Sequence, residues 1–213
     1  MEEKNLQPAE TLKDIKQIME RSSRFISLSG LSGIAAGVCA LAGAWIAGSI
    51  LYSGGSRIKI SDSFRSDIFD TLSIQLMGLA AATFAVAFIS AFYLTWRKAK
   101  KHNLPLWDHT SRRLFWNMVI PMMAGGLFIL GMLYYNEWRF VAPACLLFYG
   151  LALVNASKYT LSDIRYLGYC EIVLGLSSMF FIGYGLYFWA AGFGILHIVY
   201  GAIMWFKYER QSN

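Results

Sequence analysis

The sequence predicts an all-α protein, a polytopic transmembrane helical bundle of six spans with an amphipathic helix at its N-terminus. Three observations predict it. The 213 residues are 56% hydrophobic and 15% charged, whereas soluble domains carry about a quarter charged residues. The mean hydropathy of +0.44 leaves an apolar surplus that must face something other than water. Second, apolar runs recur at 25–51, 72–96, 114–135, 138–156, 165–187 and 189–206, each close to the ~20 residues that cross a hydrocarbon core as a helix. Third, the basic residues collect on alternate connections between those runs. A water-soluble globule, a disordered chain and a disulfide scaffold are excluded. Residues 1–24 then form a tail, 25–206 the bundle and 207–213 a short C-terminal extension.

In the tail, Leu12, Ile15, Ile18 and Met19 fall on one side of a helix over 9–21, with Lys13, Lys16 and Glu20 off it and a capping box at Thr11 and Asp14. Three readings stay open: the helix lies on the inner leaflet, docks a protein partner through residues 9–21, or extends the first span. No cleavable signal peptide is expected, because the opening residues are polar and the run that follows is too long for an h-region. Lipid removes the hydrophobic drive between helices, so close packing calls for small residues. The first span supplies Ala36, Ala40, Ala44 and Gly48 on one stripe and Ser29, Gly33 and Gly37 on another. The second offers Gly78 with Ala82 and Ala81 with Ala85, and the sixth Gly194 with Gly201. These stripes suit packing within the chain or a dimer interface.

Asp108 or Ser111 is expected to cap the third span, and Pro121 inside it to kink it. Tyr134 to Glu137 turns the third span into the fourth, where Pro143 falls in the first turns. Trp189 to Gly192 is expected to turn the fifth into the sixth. The outer loop, Tyr52 to Asp70, is polar, with a short helix that places Phe64, Ile68 and Phe69 on the membrane. The phrase Thr11 to Lys16 resembles Thr160 to Arg165, but nothing after it extends a repeat.

Of the 19 basic residues, fifteen fall on the side of both termini and four opposite. Positive charge stays inside, so both termini are expected in the cytoplasm. The tryptophans agree. Trp96, Trp107, Trp116 and Trp205 fall near cytoplasmic ends, and Trp45, Trp138 and Trp189 towards outer ones. The net charge of +6 gathers at the inner rim, which points to anionic phospholipid rather than nucleic acid. Arg97, Lys98, Lys100, Lys101, Arg112 and Arg113 are the expected headgroup contacts.

Ionisable groups within spans are costly and need explaining. Glu171 lies about 7–10 Å past the cytoplasmic start of the fifth span, and His197 about 13 Å from the inner end of the sixth. Asn117, Asn155 and Tyr169 fall near the same depth, with Arg165 at the rim. One reading is a polar pocket centred on Glu171 and His197. The other is a structural carboxylate that accepts a hydrogen bond from Asn155 or Tyr169, beside a histidine satisfied by packing.

Enzyme classes fail on what they require. Intramembrane serine proteases of the rhomboid type need Gly-x-Ser on the fourth span, which here reads Gly150-Leu151-Ala152. No His-Glu-x-x-His is present, His102 to His109 has the wrong spacing for a metal, and Cys39, Cys145 and Cys170 lie too far apart for a CxxC. No metal site or cofactor is predicted, and neither paired carboxylates nor a nucleophile beside a base is found. The stretches Tyr149 to Thr160, Ile164 to Gly168 and Gly192 to His197 resemble small bacterial six-span membrane proteins without an assigned function. The resemblance implies a bacterial inner membrane and no mechanism. The expected function is a non-enzymatic accessory or sensor subunit. The alternative is a small transporter or lipid-binding protein with a cytoplasm-facing pocket around Glu171.

Overall fold

The computed structural model describes residues 29–53, 71–101 and 107–209, and every regular element among them is helical. In chain order these are α1 (Gly30–Ser53), α2 (Thr71–Lys101), α3 (His109–Tyr134), a 3-10 turn at Trp138–Phe140, α4 (Val141–Ala156), α5 (Ile164–Phe180) and α6 (Gly185–Tyr208). The expected amphipathic helix over 9–21 and the outer-loop helix lie outside the described residues. Among the described residues five helices are long and apolar enough to cross a membrane: α1, α2, α3, α4 with its 3-10 turn, and α6. At 17 residues, α5 is shorter.

The burial pattern is inverted relative to a soluble protein. Phe84, Phe88 and Phe92 are 59%, 61% and 60% exposed, while Ser29, Ser32, Ser73, Ser111, Ser157, Thr160 and Ser178 are buried. Small side chains let helices approach, and bulky apolar ones face outward, as a lipid solvent requires. The helices stand in a row, with α2 on α1, α1 on α6, α6 on α4 and α5, and α3 on α4.

Glycine sets the spacing at each joint. A methyl at Gly30 would come 2.5 Å from the Gly201 carbonyl oxygen, and one at Gly201 would come 2.7 Å from that of Gly30. The pair Gly150 and Gly168 does the same between α4 and α5, at 2.7 and 2.8 Å. Gly43 meets Thr83 at the α1–α2 joint, and Gly125 meets Phe148 at the α3–α4 joint. The stripe Ser29, Gly33 and Gly37 thus packs as expected for a contact within the chain. The stripes of α2 do not: Gly78, Ala81, Ala82 and Ala85 are exposed. Among the described helices α2 packs along α1, with Thr83 against Gly43.

The termini of the helices follow local chemistry. Asp108 and Ser111 form a capping box, Ser111 N to Asp108 Oδ1 2.7 Å and Asp108 N to Ser111 Oγ 2.7 Å. The Ser111 backbone N–H in particular holds the Asp108 carboxyl below its usual range. Asn136, with φ 60°, carries the turn after α3. The turn between α5 and α6 falls at 181–184, around Gly183 with φ 101°, and not at Trp189 to Gly192 as the sequence suggested. Those four residues lie inside α6, because Phe181, Ile182 and Tyr184 are as apolar as the helices they join.

At the opposite end, α6 is latched to the α4–α5 connection. Lys207 Nζ lies 2.8 and 3.1 Å from the two Asp163 carboxylate oxygens, and the Tyr208 hydroxyl donates to Oδ2 at 2.7 Å. Partial burial alone would raise the Asp163 carboxyl, but these donors outweigh it and hold it below its usual value. Leu153, Leu161, Ile164, Leu167 and Met204 close the core beneath.

Candidate functional site

The buried face of α5 is a strict helical stripe of Ile164, Leu167, Gly168, Glu171, Gly175 and Ser178. Glu171 sits in its middle with 0% of its surface exposed. Opposite it, α6 departs from α-helical geometry. Residues Ala190–Leu196 form a π-helix that ends immediately before His197, a local widening that costs stability and recurs at functional positions. The imidazole of His197 reaches back five residues, with Nδ1 3.0 Å from the Gly192 carbonyl oxygen. A carbonyl can only accept, so Nδ1 carries the hydrogen. The same Nδ1 lies 3.4 Å from Glu171 Oε1, within ion-pair reach.

The other ring nitrogen meets α4. Tyr149 Oη is 2.8 Å from His197 Nε2. Since Nδ1 is protonated, the neutral imidazole accepts from the phenol at Nε2, and the imidazolium would donate there instead. Rings wall the cluster: Tyr149 and Phe193 lie 5.1 Å apart by centroids, Phe193 and His197 6.0 Å, and Trp189 and Phe193 5.1 Å. The spacing of Trp189, Phe193 and His197 places all three on one stripe of α6.

Both oxygens of Glu171 are buried without a hydrogen-bond partner. Leu146 and Gly192 close over them. A methyl on Gly192 would collide with the Leu146 side chain and come 2.5 Å from Glu171 Oε2, so glycine there is what leaves room for the carboxylate. The three polar groups come from three helices and share two exchangeable positions, Glu171 and Nε2, for one additional proton. No family model, no curated protein and no solved structure matches this chain.

Of the residues expected to form a pocket, the structure brings Glu171 and His197 together and separates the rest. Asn155 does not reach Glu171. Its Nδ2 donates to the Asn117 backbone oxygen at 2.9 Å, and its Oδ1 accepts from Lys158 at 3.2 Å. The Asn117 side chain bonds the Arg113 carbonyl at 2.8 Å. These asparagines join α3 to α4, because Asn155 points to the side of α4 away from α5. Tyr169 is 48% exposed and turns outward beside Tyr166. Arg165 Nε meets Ser157 Oγ at 3.3 Å, at the rim and not at the carboxylate.

Tyr149 and Gly192 are the members that sequence reasoning missed. A depth count would have found the first, since Tyr149 stands seven residues from the end of α4 and Glu171 seven from the start of α5, about 10 Å in each case. Of the basic set, Arg97, Lys100, Lys101, Arg112 and Arg113 are exposed at the joined ends of α2 and α3, and Lys98 is half-buried there. Among the described residues no group of three or more His, Cys, Asp and Glu side chains converges as a metal site.

Proposed function

We propose that this protein is a multi-pass component of a bacterial inner membrane that crosses the bilayer six times with both termini cytoplasmic. In this reading it acts as a non-enzymatic sensor whose packing responds to proton occupancy of Glu171, His197 and Tyr149. The carrying observation is the fully buried carboxylate with neither oxygen hydrogen-bonded, 3.4 Å from an imidazole. Such a group inside a span is expensive and calls for a role.

Adding one proton changes the cluster from a net negative charge to neutral, whether it resides on Glu171 or on Nε2. In the second case the Tyr149 hydroxyl must reverse its hydrogen bond and find another acceptor. That reversal acts between α4 and α6, which meet at Tyr149 and His197. Helix α6 continues from His197 to the Asp163 latch and the C-terminal end, so a change in its seating is carried toward the cytoplasmic face. The tail over 9–21 and a protein partner would read it there. Closure of the seam by Leu146 and Gly192 favours a switch over a conduit.

The test is infrared titration of the purified protein in lipid. A carboxyl stretch that appears and disappears with pH, and is missing in Glu171→Gln, is expected. It should shift in His197→Gln. A spectrum with no titrating band assigned to Glu171 would end the proposal. Proton flux through wild-type proteoliposomes, absent in Glu171→Gln, would replace the switch by a transporter.

A further inference from the structure

Helices α2 and α3 are neighbours in sequence but stand at the two ends of the row. Helix α2 packs along α1, and α3 packs along α4 and the 3-10 turn before it; no other described helix packs along either. The path from one end to the other, α2–α1–α6–α4–α3, takes four helix-to-helix steps. At 8–10 Å each, a straight row would hold its ends about 36 Å apart. The chain from Lys101 to His109 reaches about 28 Å at full extension. The row therefore curves at this end, bringing the last turn of α2 and the first turn of α3 around a mouth along which the two helices do not pack. Both helices have unoccupied sides: a methyl added at Gly78, Gly126 or Gly131 would meet nothing within 4 Å.

The rim of this mouth is strongly basic. Arg97, Lys98, Lys100 and Lys101 end α2, and Arg112 and Arg113 lie in the first turns of α3. The acidic residue among them, Asp108, is engaged by Ser111 in the cap. Cations suit the C-terminal end of α2. Arg112 and Arg113 sit at the positive end of the α3 dipole, where the Asp108 carboxylate in the cap is the single acidic side chain among the described residues of the rim. Lys100 lies 5.3 Å over the Trp96 ring, and Trp107 is exposed just before α3; indole rings favour the headgroup region of a bilayer. Below the rim α2 presents stacked, exposed Phe84, Phe88 and Phe92.

We propose that an anionic phospholipid occupies this mouth, its phosphate held by Lys100, Lys101, Arg112 and Arg113 and its acyl chains lying between α2 and α3. A phosphodiester supplies anionic charge to a rim where, among the described residues, one carboxylate stands beside six basic side chains, and acyl chains would lie along two consecutive helices that do not pack on one another. The site is independent of the Glu171 cluster.

The experiment is native mass spectrometry of protein released from nanodiscs of mixed phosphatidylglycerol and phosphatidylcholine. Wild type should retain phosphatidylglycerol in preference. The variant Lys100→Gln/Lys101→Gln/Arg112→Gln/Arg113→Gln, checked for unchanged helicity, should lose that preference by about tenfold or more. Charge-preserving Lys100→Arg/Lys101→Arg/Arg112→Lys/Arg113→Lys should keep it, as should Arg139→Gln at the opposite end. Equal retention by the glutamine variant would overturn the proposal. So would an equal loss in Arg139→Gln, or crosslinks showing a second copy seated between α2 and α3. Should the glutamine variant not fold, a wild-type preference indifferent to salt would overturn it as firmly.

Discussion

His197 is placed between two groups with opposite demands. The Gly192 carbonyl requires a hydrogen on Nδ1, and Tyr149 accommodates either state of Nε2. Tyr149→Phe keeps the ring contacts with Phe193 and His197 and removes the hydroxyl. It should cost about 1 kcal/mol of unfolding free energy in mixed micelles and flatten the pH response of the carboxyl band. Gly192→Ala is the sharper probe, since its methyl collides with Leu146 and Glu171. A loss of about 1–3 kcal/mol is expected, and combining it with Glu171→Ala should restore part of that loss by opening the space. Additive losses in the double variant would show that Gly192 does not position the carboxylate.

Glycine sets the helix contacts in this bundle where backbones touch, and glycines that face open space set none. Gly168→Ala drives a methyl to 2.8 Å from the Gly150 carbonyl oxygen and should destabilise the α4–α5 pair, by about 1–3 kcal/mol. Gly78→Ala and Gly126→Ala meet open space and should be neutral or stabilising by about 0.5–1 kcal/mol through helix propensity. Detergent unfolding curves of the three variants distinguish a packing glycine from a tolerated one. The α3 cap belongs to the same scale. Asp108→Ala should cost about 0.5–2 kcal/mol. Because the Ser111 backbone N–H holds the folded Asp108 carboxyl below its ordinary value, its contribution is present above that ordinary value and is lost as pH falls through the lower folded one.

Across the whole molecule, the latch of Lys207 and Tyr208 on Asp163 ties the last helix to the middle of the chain. Although partly buried, Asp163 is hydrogen-bonded by Lys207 and Tyr208 and titrates below its ordinary value when folded. Its contribution to stability is therefore complete above that value and vanishes on acidification through the folded one. Asp163→Asn should remove this part of the acid sensitivity of the melting temperature, and an unchanged acid profile would show the latch to be inert. Topology is tested at this scale too. Reporters fused at the two ends should both report cytoplasm, and opposite compartments would leave α5 as a helix that does not cross.

Hydropathy alone located α1 to α4 and α6 within a few residues, because a solvent that offers the backbone no hydrogen bonds leaves helices as the single solution for long apolar runs. The α3 cap was equally legible, since Asp108 and Ser111 act within one turn. The break at 181–184 was not, because Phe181, Ile182 and Tyr184 carry no polarity to mark it and Gly183 was the one local sign. Which way each side chain faces was decided only by tertiary packing. A helix apolar all round has no wet side, so rotation about its axis is written in interhelical contacts and not in its own periodicity. For that reason the levels of Glu171 and His197 along their helices could be counted from the sequence, while Asn155 turned to α3, Tyr169 turned outward, and Tyr149 came to the imidazole from 48 residues away in the chain.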